Sequence, residues 1–157
     1  VEGYALAGGF ELALACDLIV AAEDAVFGLP EAARGLVAGS GGLLRLGRRI
    51  PSGIALEYAL TAAHIPAPVA QQWGLVNRLT PSGGALDAAL ELARQIAANA
   101  PLSTAMSKRI MKDSRLWPDE EMWDRQRPLS ESVINSEDAR EGARAFAEKR
   151  SPNWGGK

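Results

Sequence analysis

The sequence predicts an α/β protein, a mixed core followed by a helical tail. Three observations carry this. Residues 1–17 read as a strand, a glycine turn and a helix. Two short apolar runs, Leu18–Ala22 and Ala25–Phe27, follow it and read as buried strands. From about residue 81 onward only helical patterns recur, in a chain rich in alanine.

Residues 1–6 are the expected first strand, and Gly8-Gly9 opens a helix through Asp17. Leu12, Ala15 and Cys16 fall at helical spacing and predict its buried stripe, with Cys16 as a core thiol. Strand, helix and strand within some thirty residues imply a βαβ crossover. A short helix is expected over Glu31 to Arg34 after Pro30. Gly39-Ser40-Gly41-Gly42 reads as a loop entering a helix from Leu43 to Arg49, and Pro51 starts another. Pro66 to Trp73 is a short helix ended by Gly74, Val76–Leu79 a strand, and Pro81–Gly84 a turn. Leu86, Ala89, Leu90, Ala93, Ile96 and Ala97 trace one face of an amphipathic helix. Pro101 starts the next, Trp117-Pro118 breaks it, and helices from about Asp119 to Asn135 and Glu137 to Lys149 complete the pattern. The expected division is residues 1–80 as αβ core and 81–157 as helical subdomain.

Composition narrows the function classes. Net charge is −2, which argues against a dedicated nucleic-acid surface. Hydrophobic content of 47% with 23% charged residues is ordinary for a globular chain. No apolar run approaches the ~18 residues of a membrane span. The single cysteine allows no internal disulfide and fits a reducing compartment such as the cytoplasm. One His and one Cys do not make a zinc site, so no metal is expected. His64 reads as a surface histidine, and Trp73, Trp117, Trp123 and Trp154 as packing residues.

The chemistry concentrates in two carboxylates. Glu11 follows the Gly8-Gly9 turn, and Glu31 follows a strand end and Pro30. Glycines without side chains let a carbonyl approach the backbone, and a helix start adds partial positive charge. Such a turn can hold a developing oxyanion. Carboxylates beside it can move protons or hold a water, which is equipment for enolate chemistry. On spacing alone, a packing turn and two helix-N-terminal acids account for the same residues. Gly39–Gly42 could cradle an anion at a helix start; a close-packed loop is the reading taken. Arg45, Arg48 and Arg49, like Lys149-Arg150, read by default as solvated helix faces.

Gly3-Tyr4-Ala5-Leu6-Ala7-Gly8-Gly9-Phe10-Glu11, Cys16-Asp17, Phe27-Gly28-Leu29-Pro30-Glu31, Gly39–Gly42, Trp73–Asn77 and Glu137–Gly142 with Phe146–Arg150 stand in a recognisable order and spacing. As a set they resemble the crotonase (enoyl-CoA hydratase/isomerase) superfamily over nearly the whole chain. The resemblance implies a crotonase-like ββα spiral, here partial, with a helical C-terminal subdomain that forms a trimer or hexamer. It implies the Gly8 N–H as oxyanion donor and the pair Glu11 and Glu31 as catalytic residues. Glu11 would orient water and Glu31 deliver the proton. Phe10, Leu29 and Gly39 are implied around the acyl pocket, and Phe146 and Lys149 near the nucleotide of coenzyme A. The substrate would be an acyl-CoA thioester, with coenzyme A as part of the substrate and no separate cofactor. Retention of both glutamates favours enoyl-CoA hydration in fatty-acid oxidation. Δ3–Δ2 isomerisation and a non-catalytic assembly module are the alternatives.

Three residues depart from the family pattern: Ala7 in place of a third glycine, Phe10 in place of a small residue, and Leu29 in place of a polar one. In the family an earlier strand and loop supply a second oxyanion N–H and much of the coenzyme A contact. Nothing here matches them. The expectation is therefore a C-terminal portion of a longer enzyme, inactive by itself.

Overall fold

The computed structural model describes residues 1–157. They form two compact units, Val1–Leu92 and Ala93–Lys157. The division falls twelve residues beyond the sequence expectation (92 − 80), because the helix after the Pro81–Gly84 turn begins in the first unit.

In the first unit, β1 (Tyr4–Leu6) leads into α1 (Gly8–Ala15), then β2 (Val20–Ala22) and β3 (Val26–Gly28). After a 3-10 turn at Ala32–Arg34 come α2 (Gly42–Arg49), α3 (Ser52–Thr61), β4 (Ile65–Pro66), α4 (Ala67–Gln72), β5 (Arg78–Thr80) and α5 (Ala85–Ala97). The strands form two small sheets. One has the order β1-β3-β4, with β1 and β3 parallel in the register Tyr4↔Val26, Ala5↔Phe27 and Leu6↔Gly28. β4 runs antiparallel to β3, with Phe27 opposite Ile65. The other sheet pairs β2 with β5 in parallel. The expected crossover is thus more elaborate than one βαβ unit. The connection from β1 to its parallel neighbour β3 passes through α1 and through β2, a strand of the other sheet. β4 escaped the sequence pattern because it is only two residues long and contains Pro66, tolerated there at a sheet edge.

Strand ends shift by a few residues from the pattern. Asn77 lies just before β5, where its side-chain oxygen accepts from the Ile19 N–H and its own N–H donates to the Ile19 carbonyl, both at 2.8 Å. That two-way clamp joins the entrances of β2 and β5. Glu2 performs a similar task for α5. Its two carboxylate oxygens accept from the N–H groups of Gly83 (3.0 Å) and Ala85 (2.8 Å). Those backbone donors hold its carboxyl below the ordinary glutamate range.

The core of this unit gathers Phe10, Leu14, Phe27, Leu46, Ile65 and Leu75, all essentially inaccessible. Phe10 and Phe27 meet with ring centroids 5.3 Å apart. Here the expected stripe of α1 is corrected. Phe10, Glu11 and Leu14 are buried, whereas Leu12 is 70% exposed and Cys16 is an exposed free thiol. Leu12 and Cys16 share one face and Phe10 and Leu14 another, each pair four residues apart. Periodicity cannot choose between two apolar faces; the larger side chains win the core. The helix also stops at Ala15, with Cys16 already extended.

The second unit contains α6 (Pro101–Asp113), α7 (Met122–Ile134) and α8 (Glu137–Glu148), with 3-10 turns at Ser114–Leu116 and Asp119–Glu121. Ser136 caps α8 by accepting from the Ala139 N–H at 3.0 Å. The closing segment folds back on α8. Arg150 makes a forked contact with Glu141 at 2.6 and 3.0 Å, and Asp138 accepts from the N–H groups of Gly155 and Gly156. The Trp154 indole donates to the Ala98 carbonyl at 2.9 Å. Trp123, expected to pack, is 75% exposed, as are Met111, Leu116, Ile134 and Phe146 to similar degrees. No helix is long and apolar enough to cross a membrane.

Candidate active site

The turn between β1 and α1 is the natural starting point. Ala7 donates to the Gly28 carbonyl at 2.9 Å, one step beyond the last β1–β3 pair, and its own carbonyl accepts from the Glu11 N–H. Its backbone has φ 48° and ψ −125°, a region that L residues rarely adopt. Gly8 and Gly9 then begin the helix, so their N–H groups have no acceptor within it. Neither glycine has positive φ, and a Cβ on either would meet no heavy atom within 4 Å. Backbone conformation and internal packing therefore do not explain the two glycines. Bare, accessible N–H groups at a helix start remain as what they provide.

Glu11 lies three residues on, and is only 5% exposed. One of its oxygens, Oε1, accepts from the N–H of Ser40 at 2.8 Å and from that of Gly42 at 2.9 Å. The Gly39–Gly42 loop thus does cradle an anion at a helix start, and the anion is the protein's own carboxylate. These two bonds offset the cost of burying it, and the N-terminus of α2 adds favourable charge. A Cβ on Gly42 would stand 2.8 Å from Glu11 Cγ and 3.1 Å from a Leu29 methyl. Glu11, Leu29 and Gly42 consequently share one close-packed spot, and a side chain at residue 42 would force Glu11 or Leu29 to shift.

Glu31 caps the 3-10 turn at Ala32–Arg34. Its carbonyl accepts from the N–H groups of Arg34 (2.8 Å) and Leu36 (3.0 Å), and Arg34 Nη1 donates to the Pro30 carbonyl at 3.0 Å. The carboxylate is treated differently from that of Glu11. Its Oε2 is buried and has no hydrogen-bond partner. A buried carboxylate oxygen without a partner is costly, and in a native protein it points to a ligand for that oxygen.

The remaining residues fall into place unevenly. Phe10 is wholly inside the core, so in this structure it offers no surface to an acyl chain. Leu29 is 4% exposed and walls the Glu11 spot, while Gly39 is exposed at the start of the cradle loop. Phe146 (87% exposed) and Lys149 belong to the second unit, where Lys149 ends α8 with left-handed backbone. The residues that sequence reasoning passed over are Ser40 and Gly42 as donors. Their signal was the Gly-Ser-Gly-Gly run itself, read as packing.

A family model described as enoyl-CoA hydratase/isomerase matches residues 1–157. The chain belongs to that family. Among curated relatives, carnitinyl-CoA dehydratases from several Salmonella strains, such as paratyphi A, are 47% identical over 161 aligned residues, which cover all of this chain. The chain spans 62% of their length. An enoyl-CoA hydratase structure from Mycobacterium tuberculosis H37Rv is similar at 57% identity and a TM-score of 0.98, covering 100% of this chain and 62% of that one. One from Bacillus anthracis is similar at 37% identity and a TM-score of 0.94, covering 99% and 60%. The fold is that of the crotonase superfamily, and these family members are handlers of coenzyme A thioesters by name.

Proposed function

We propose that this enoyl-CoA hydratase/isomerase family member adds water reversibly across the 2,3 double bond of an enoyl-CoA thioester. The observation that carries the reading is the unequal treatment of two glutamates. Glu11 is oriented by two N–H donors, and Glu31 keeps a buried oxygen free of partners. A thioester oxygen resting on the Gly8 N–H gains most as it becomes an enolate. Water held by Glu11 forms the new C–O bond at C3 and loses a proton to the carboxylates. A proton from Glu31 goes to C2. Atoms balance as one water consumed, and dehydration is the same path reversed, so the 47% likeness to carnitinyl-CoA dehydratases sits within this reading. No metal or redox step is required; coenzyme A enters as part of the substrate.

The wider reading is fatty-acid oxidation in the cytoplasm, as a trimer or hexamer. The exposed Met111, Leu116, Trp123, Ile134 and Phe146 support self-association of the second unit. Phe146 and Lys149 then serve the nucleotide end of coenzyme A, in the site of a neighbouring subunit.

The test is loss of enoyl-thioester absorbance with crotonyl-CoA, using the full-length protein that contains this chain, here called the native protein, and its Glu31→Gln variant. Turnover by the first and not by the second is expected. A folded native protein without turnover would overturn the reading. A Glu11→Ala variant that spared 3-enoyl-CoA isomerisation while losing hydration would favour the isomerase reading.

A further inference from the structure

We propose that Arg45 is a positioning residue for Glu11, acting through the Ser40–Gly42 loop. The proposal rests on the reading of Glu11 as the water-orienting carboxylate. Arg45 lies one turn inside α2, where its N–H bonds the Gly41 carbonyl at 3.0 Å. Side chains on a helix tilt toward its N-terminus, so Arg45 is placed to reach back over the loop. Its Nη1 donates to the Ser40 carbonyl at 2.9 Å. The guanidinium covers Gly41 so closely that a Cβ there would collide with it. Ser40 is therefore gripped at both ends, by Arg45 at its carbonyl and by Glu11 at its N–H.

The place is a strange one for a cation. A helix N-terminus carries partial positive charge and disfavours Arg. The first turn of α2 contains no acidic residue to compensate. The anion hydrogen-bonded at this terminus is Glu11, which comes from α1. Carboxylate, helix start and guanidinium thus form one arrangement, and Arg45 is explained by Glu11 rather than by its own helix. Gly41, with φ 93°, supplies the left-handed step that turns both N–H groups inward and the Ser40 carbonyl outward. Without the guanidinium, that carbonyl is free to turn toward water, and the N–H pair loses its aim.

The experiment compares Arg45→Met and Arg45→Lys in the native protein, each alone and with Glu11→Gln. With crotonyl-CoA, Arg45→Met is expected to lower kcat about tenfold with KM changed less than about twofold, and Arg45→Lys to recover part of it. In the Glu11→Gln background the same change should cost less than about twofold, since its route is already cut. Unchanged kcat, an equal loss in both backgrounds, or a rise in KM alone would each overturn the proposal, the last by making Arg45 a substrate contact. Amide exchange at Ser40 and Gly42 decides the matter independently of turnover. Arg45→Met should speed both by about fivefold or more while Leu14 in α1 is unaffected. Unaltered exchange there overturns the proposal. Absence of crotonyl-CoA turnover in the native protein, with the exchange change present, would instead sink the hydratase reading alone.

Discussion

The Gly42 N–H donates to Glu11 Oε1 at 2.9 Å, and the Gly42 Cα faces Glu11 Cγ with no room for a methyl group. One residue both binds the carboxylate and sets its closest approach. Gly42→Ala should therefore push Glu11 and Leu29 apart and cost about 1–3 kcal/mol, the usual range for overpacking a close-packed site. Thermal unfolding measures the cost. Hydration kcat should fall with it, and by more than the same change at Gly47, where a Cβ would meet nothing within 4 Å. Equal effects at 42 and 47 would refute the argument.

Ala7 makes the opposite prediction. Its backbone, at φ 48° and ψ −125°, suits glycine. Strain of this type costs about 1–3 kcal/mol, against which glycine raises the entropy of the unfolded chain by about 0.4–1 kcal/mol. Ala7→Gly should raise the melting temperature, by a net gain of about 1 kcal/mol. Ala7→Val should lower it. A destabilised glycine variant would mean that the turn relaxes when the methyl is lost.

The two faces of α1 can be told apart by truncation. Leu14→Ala should cost about 2–5 kcal/mol, as buried leucines do, and Leu12→Ala less than about 0.5 kcal/mol. Cys16, exposed, should react with a thiol reagent in the native state without unfolding. A protected Cys16 would restore the stripe that the periodicity suggested.

How much of this was legible in the sequence follows from what kind of force fixes each part. The Gly8-Gly9 turn, the strands around it and the helical tail are set by local chemistry, and their order could be read. Glu11 and Glu31 stood out because charged residues interrupt apolar surroundings. What pairs with what was not legible. Glu11 meets Ser40 and Gly42 across 29 and 31 residues, through backbone groups that every residue carries. Arg45 looked like a solvated cation because its target, the Ser40 carbonyl, has no sequence signature. Phe10 looked like a pocket residue by position, yet Phe27 claims it for the core.

Glu141 predicts an acid response. The Arg150 guanidinium, helped by the Asn153 N–H, holds its carboxyl down at about 2. The folded value is below the unfolded one, near 4.3. The contact therefore stabilises the fold fully above about pH 4.5 and is lost as pH falls toward 2. Both groups are solvent-accessible, so screening keeps the effect modest. In urea titrations at pH 6 and pH 3, Glu141→Gln should be less stable than the native chain at pH 6, and the gap should be narrower at pH 3, closing only as pH approaches the folded value of about 2. A constant gap between the two would show that the pair does not govern this window.

The carboxylate of Glu2 closes on the Ala85 N–H across 83 residues, and β2 finds β5 across 58 (78 − 20). That spacing sets a timetable for synthesis. While the ribosome is still adding residues before Arg78, β2 lacks its parallel neighbour β5, and the apolar Val20, Ala21 and Ala22 have the Val1 backbone on one side but not the strand that completes the sheet. Non-local closures of this length slow folding, because chain entropy is lost before the contacts compensate for it. The nascent chain therefore passes through a long interval with its smaller sheet unmade, the interval in which a chaperone would find a sticky edge to hold.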